Sequence, residues 1–141
     1  MVVLDTDHIT LLEQARGDAF HRLSKRLSAL SPSDRVTTII SYEEQTRGWL
    51  VYVSRARTLN QQIDAYRKLN HHLDTYREIE VLEFSEKAAT EFQRLRNLGV
   101  RVGTMDLKIA AIVLATGAKL LSRNLIDFRQ IPDLTVEDWT R

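Results

Sequence analysis

Short apolar runs rich in β-branched residues alternate along this chain with longer segments of helical period, and that alternation leaves few folds open. Val2-Val3-Leu4 is too short and too apolar for a surface helix, so it reads as a fully buried strand ending at Asp5. Arg35 to Ile40, Ile79 to Leu82, Lys119 to Ser122 and Leu134 to Glu137 read as further strands. Helical spacings fill the intervals. Asp7 is placed to cap a short helix over His8 to Gln14, and Ala19 to Leu30 carries Phe20, Leu23, Leu27 and Leu30 on one stripe. Ser41 stands three residues before Glu44 in capping-box spacing, which starts a helix running to about Arg57. Thr58 to Arg77 carries Leu59, Ile63, Tyr66, Leu69, Leu73 and Tyr76 on one face, giving a helical hairpin with the segment before it. Ser85 caps a helix through Leu98 that Gly99 ends, and Thr104 caps one from Met105 to Thr116 that Gly117 closes. This last helix is apolar on nearly every side from Ile109 to Ala115 and must be buried. Asn124 to Asp127 reads as a loop.

Strands and helices in this order imply right-handed βαβ units. The expected fold is α/β, a single domain over residues 1–141 with a parallel sheet of about four to five strands and helices on both faces. Ligands of such sheets bind beyond the carboxyl ends of the strands, where the strand order reverses. Asp5 and Asn124 follow strands at that edge, and Glu44 and Asp106 lie in first helical turns that can face it.

Composition narrows the chemistry. With 43% hydrophobic and 28% charged residues and only five Gly and two Pro in 141, the chain is expected to be ordered rather than linker-rich. The absence of cysteine excludes disulfides, thiolate chemistry and sulfur-ligated metals. The amino-terminal residues show no leader pattern, and the longest apolar stretch is too short to cross a bilayer, so a cytoplasmic protein without a membrane partner is expected. The net charge of +1 decides nothing about nucleic acid, because phosphate binding depends on where basic residues gather.

Each acid also has an ordinary structural explanation. The helix dipole favours Asp106 near a helix start by about 0.3 to 1 kcal/mol, Glu44 completes a capping box with Ser41, and Asp127 suits a turn. Asp5 resists this treatment, since a carboxylate directly after a buried strand costs free energy unless hydrogen-bonded or neutralised. Taken together, three or four carboxylates at one edge repel and raise one another's pKa unless a cation sits among them. With oxygen donors only, the expected ion is Mg²⁺ or Mn²⁺ rather than zinc. Such an ion activates water for attack on a phosphodiester, so hydrolysis of a nucleic acid strand is the natural chemistry. The four histidines form no rival site and are expected in surface or helix-packing roles.

At these residues the sequence resembles the PIN-domain family, in particular the VapC toxins of bacterial toxin–antitoxin pairs. The matching pieces are Val3-Leu4-Asp5-Thr6-Asp7, Ile40-Ser41-Tyr42-Glu43-Glu44 with Gly48 following, Gly103 to Ala111 around Asp106, and Leu121-Ser122-Arg123-Asn124-Leu125-Ile126-Asp127-Phe128. By position, the resemblance makes Asp5 and Asp106 the principal metal-ligating aspartates and Glu44 the glutamate four residues before a glycine. Glu43 lies about 100° away round the helix, so only one of the pair can face the site. The family's fourth acid falls on Asn124, with Asp127 three residues on. Either Asn124 orients a water or ligand while Asp127 completes the acidic ring as a metal ligand, or only one of them takes part.

The resemblance further implies a metal-dependent endoribonuclease, a homodimer, and inhibition by a small antitoxin whose tail reaches the acidic groove. Arg47, Lys108, Arg123 and Arg129 lie close in sequence to the acids and are candidates for holding RNA phosphates, against the plainer reading of a solvated helix face. Two rival readings stand beside this one. Leu4-Asp5-Thr6-Asp7 also fits the opening of haloacid-dehalogenase-like phosphatases, with Asp5 as nucleophile and Asp7 as general acid. A PIN-like module that only binds RNA or protein is the other.

Overall fold

The computed structural model describes all 141 residues. Five short strands, β1 (Val2–Leu4), β2 (Arg35–Thr38), β3 (Glu80–Leu82), β4 (Lys119–Leu121) and β5 (Val136–Glu137), form one sheet in the order β3-β2-β1-β4-β5. Every pairing is parallel. Each connection is therefore a crossover, and seven helices make them: α1 (Thr6–Gln14) and α2 (Asp18–Ser28), α3 (Ile39–Arg55) and α4 (Leu59–Glu78), α5 (Glu86–Asn97) and α6 (Thr104–Thr116), and the single-turn α7 (Leu125–Phe128). No helix is long and apolar enough to cross a membrane.

The sheet separates two apolar cores because strand side chains alternate sides. Val3, Val36 and Leu120 point into a core with Ile40 of α3, Ala88 and Leu95 of α5, Leu107, Ile109, Ala110, Ile112 and Val113 of α6 and Phe128 of α7. Val2, Leu4 and Leu121 point the other way, onto Ile9 and Leu11 of α1, Leu23 and Leu27 of α2, and Trp139. The Leu23 and Leu27 stripe of α2 is thereby spent on packing. Helix α6 runs buried through the first core, as its all-round apolar sequence requires.

The order in which strands are added reverses between β1 and β4, with all strands still parallel: β2 and β3 extend the sheet on one side of β1, while β4 and β5 lie on the other. The carboxyl ends of these two central strands therefore frame the crevice where ligands of open α/β sheets settle.

Several boundaries differ from those the sequence predicts, each for a local hydrogen-bonding reason. Asp5, not Asp7, caps α1, its Oδ1 accepting from the Thr6 N–H at 2.7 Å. Strand β2 stops at Thr38, and Ile39 and Ile40 belong to α3, because the Thr38 hydroxyl accepts from the Ser41 N–H at 3.1 Å and starts the helix three residues early. Ser41 is thus inside the helix and forms no capping box with Glu44. Thr104 is likewise the first residue of α6, after Gly103, and Leu125 to Phe128 is a helical turn rather than loop. Thr38→Ala should lower stability to urea unfolding by about 1 kcal/mol, the usual worth of a threonine cap; no change in the midpoint would show that another group starts α3.

Candidate active site

Three elements bring acids to the crevice. Asp5 leaves the end of β1, Glu44 sits on the second turn of α3, and Asp106 lies in the first turn of α6. A cavity of about 510 Å³ is lined by Asp5, Thr6, Asp7, Glu44, Asp106, Arg123 and Asn124, with Thr10, Leu11 and Gln14 of α1. Asp5 is 6% exposed. Its cap bond to Thr6 is matched on the other oxygen by the Ser122 hydroxyl, which donates to Oδ2 at 2.7 Å. Thr6 points its own hydroxyl at Ser41 Oγ and Glu44 Oε1, 3.1 and 3.4 Å away, linking α1 to α3 across the cavity wall.

The electrostatics are those of crowded, partly buried acids. Burial, reinforced by the charge of Asp7, raises Asp5 from 3.8 to about 7 despite the bonds from Ser122 and Thr6 that favour its ionised form. Burial and then the charge of Asp106 raise Glu44. Burial and then the charge of Asp127 raise Asp106, against the favourable bond from Asn124. Each acid therefore sits partly desolvated in the field of another.

Asn124 and Asp127 take distinct places. The Asn124 amide donates to Asp106 Oδ2 at 3.2 Å and to Asp127 Oδ2 at 3.0 Å, so one NH₂ group bridges two carboxylates. Asp127 does not line the cavity itself; it acts on the cavity through its charge on Asp106 and its bond to Asn124. Glu43 turns outward, where Arg47 donates to it at 2.6 Å. No group of three or more Asp, Glu and His side chains converges closely enough to enclose a cation on its own.

Of the basic residues singled out in the sequence, only Arg123 lines the cavity. Arg47 is engaged by Glu43 on the surface, Lys108 is half-buried on α6, and Arg129 is exposed just after α7. The sequence reading gave Asp7 only the roles of helix cap and phosphatase acid. It lines the cavity, raises both Asp5 and Asp106, and its Oδ2 accepts from the Arg123 N–H at 3.0 Å. Its place two residues after Asp5 was the available signal. Asp5 is still extended as the helix cap, and from there Asp7 reaches the end of β4.

Comparison with known proteins identifies the family and the fold. The model of the PIN domain family matches residues 2–134. Ribonuclease VapC1 of Haemophilus influenzae (strain R2866) is 30% identical over 144 residues, covering 99% of this chain and 98% of that protein. Ribonuclease VapC2 of Rickettsia felis is 33% identical over 67 residues, which span 45% of this chain and about half the length of that relative, 50%. The solved structure of VapBC-1 from nontypeable Haemophilus influenzae superposes with a TM-score of 0.71 at 28% identity, covering 100% of each chain. Matched in sequence and in sheet over nearly its whole length, the chain belongs to the PIN domain family and, within it, to the VapC type.

Proposed function

We propose that this chain is an endoribonuclease dependent on Mg²⁺ or Mn²⁺, acting in the cytoplasm as the toxin of a toxin–antitoxin pair. The observation that carries the reading is the meeting of Asp5, Glu44 and Asp106, from three distant stretches of chain, on one cavity where each raises or is raised by another acid. Relatives named as ribonucleases support the choice of RNA.

The donor set fits a hard divalent ion. It offers carboxylate and amide oxygens and no sulfur, and four carboxylates face a single basic lining residue, Arg123. Mg²⁺ keeps several of its waters and takes one or two carboxylates, so a closed cage of three is not needed. Asp5, Asp106 and Glu44 would hold the ion, with Asp127 contributing charge through Asn124. Bound there, it supplies a Lewis acid for a phosphoryl oxygen and eases deprotonation of water. The chain's own groups do the remainder. Thr6 and Ser122 fix the Asp5 carboxylate, the Asn124 amide fixes that of Asp106, and Glu44, with its proton affinity raised, accepts the proton of the attacking water. Arg123 at the cavity wall holds the phosphate, with Lys108, Arg47 and Arg129 as outlying contacts that weaken as salt rises.

A second cleft of about 460 Å³, lined in part by Trp49 and Tyr52 of α3, shares Thr10 and Gln14 with the acidic cavity. This continuity suits a small antitoxin that lies on α1 and α3 and extends a tail to the acids; that the toxin is itself a homodimer is what the resemblance to VapC toxins implies. The phosphatase alternative loses support because Asp7, its required general acid, is engaged by His8 and by the Arg123 N–H. The inert module is separated from the enzyme by direct measurement.

Saturating Mg²⁺ or Mn²⁺ should raise thermal stability at pH 8 by about 1 to 3 kcal/mol, as expected when an ion binds only the folded state at many times its Kd. The rise should shrink as pH falls through about 7, where Asp5 takes up a proton. RNA cleavage should follow the same pH dependence. Absence of both the stabilisation and the cleavage at millimolar ion and pH 8 would leave only the binding module.

A further inference from the structure

His8 is fully buried, and both of its ring nitrogens are engaged. The Trp139 N–H donates to Nε2 at 3.4 Å, so that nitrogen carries the lone pair and the ring proton is assigned to Nδ1. Nδ1 lies 2.6 Å from Asp7 Oδ1, a short charge-assisted bond. On the far side of the same carboxylate, Oδ2 accepts from the Arg123 N–H at 3.0 Å and lies 3.4 Å from the Ser122 hydroxyl. That hydroxyl donates to Asp5 and accepts from the Asn124 N–H at 3.0 Å. Asp138, the other acid facing the ring at 3.9 Å, is occupied by the hydroxyl and N–H of Thr140.

Packing alone gives no reason for an imidazole here. A fully buried polar ring costs free energy unless its nitrogens find partners, and an apolar side chain carries no such cost. The partners show what the ring does: it joins the segment after β5 to the one acid that touches the backbone of the loop after β4. We infer that His8 is a positioning residue for the acidic cavity. Its Nδ1–H fixes the orientation of Asp7, and Asp7 in turn pins Arg123 and sets where Ser122 and Asn124 meet Asp5 and Asp106. Without that bond the Asp7 carboxylate is free to turn into the cavity, where its charge already opposes ionisation of Asp5 and Asp106. The kinetic consequence rests on the ribonuclease reading above; the geometry does not.

The test uses the full chain, ¹⁵N-labelled. In unaltered protein the ring should carry its proton on Nδ1, and a proton found on Nε2 overturns the inference without any variant having to fold. His8→Gln keeps an acceptor near the Nε2 position but loses the Nδ1 donor. It should shift the Arg123 amide resonance, weaken Mn²⁺ binding by calorimetry, and lower kcat on RNA by about 10- to 100-fold, the usual cost of losing an outer partner of a metal site, with KM little changed. His8→Asn places an amide N–H where Nδ1–H was and should restore all three. An Arg123 amide unmoved by His8→Gln, or His8→Asn as impaired as His8→Gln, defeats the proposal. A wild-type protein that cleaves no RNA defeats the ribonuclease reading instead, and the ring tautomer and the Arg123 amide still decide this one.

Discussion

Asp5→Asn is expected to reduce RNA cleavage by about a thousandfold and, at pH 8 without added ion, to leave the protein more stable than the wild type. The first effect follows if the Asp5 carboxylate is a principal holder of the ion, because the several kcal/mol that metal-assisted charge stabilisation supplies correspond to about tenfold in rate per 1.36 kcal/mol. The second follows from linkage. The folded protein holds the Asp5 proton up to about pH 7, well above the ordinary value of 3.8. A carboxyl group raised in this way contributes stability that is fully present below about pH 4 and lost as pH rises through about 7. At pH 8 the ion-free wild type therefore carries a buried, ionised Asp5 whose cost is on the order of a few kcal/mol.

Asparagine removes that charge without orphaning its neighbours. Its Oδ1 can still accept from the Thr6 N–H, and its amide can donate to Ser122 Oγ, whose own proton then turns to Asp7 Oδ2, 3.4 Å away. Urea unfolding of both proteins in EDTA at pH 5 and pH 8, beside a cleavage assay in Mn²⁺, reads both effects. An Asp5→Asn protein that cleaves RNA like the wild type would remove the acid from the reaction. One that is inactive because it is unfolded at pH 8 would contradict the electrostatic account.

What the sequence could and could not disclose divides along sequence distance. β1 was legible because three apolar residues before an acid allow almost nothing but a buried strand, and α6 because an all-round apolar helix has to be covered. The sheet followed from the alternation of elements. Asp5, Glu44, Asp106 and Asn124, all named from the sequence, line or bridge the one cavity at the carboxyl ends of β1 and β4. The part Asp7 plays was hidden because its partner is the backbone of Arg123, 116 residues away, and that contact exists only once β4 lies beside β1. The same holds for His8, whose second nitrogen is met by Trp139, 131 residues on. Helix starts differ from expectation for a local reason. Thr38 and Ser41 are both good caps, and the choice between them depends on where β2 ceases to pair with β1 and β3, which local sequence does not state.

Glu43 and Glu44 put the register of α3 to a direct test. Both are glutamates on one helix, so a difference between their glutamine variants reports geometry and not composition. Glu44 lines the cavity, feels the charge of Asp106 and accepts from Thr6. Glu43 points outward to Arg47, whose side chain is 70% exposed, in an i,i+4 pair of the sort worth no more than about 0.5 kcal/mol. Glu44→Gln should lower cleavage by about 100-fold, within the 10²- to 10⁴-fold range for loss of a positioned proton acceptor, and should also weaken Mn²⁺ binding. Glu43→Gln should leave both close to wild type and free Arg47 to move. Titrating each variant with Mn²⁺ and measuring initial cleavage rates at pH 8 gives the comparison. Should Glu43→Gln prove the damaging change, α3 would have to be turned by about 100° about its axis, and the meeting of Glu44 with Asp5 and Asp106 would no longer be available to hold an ion.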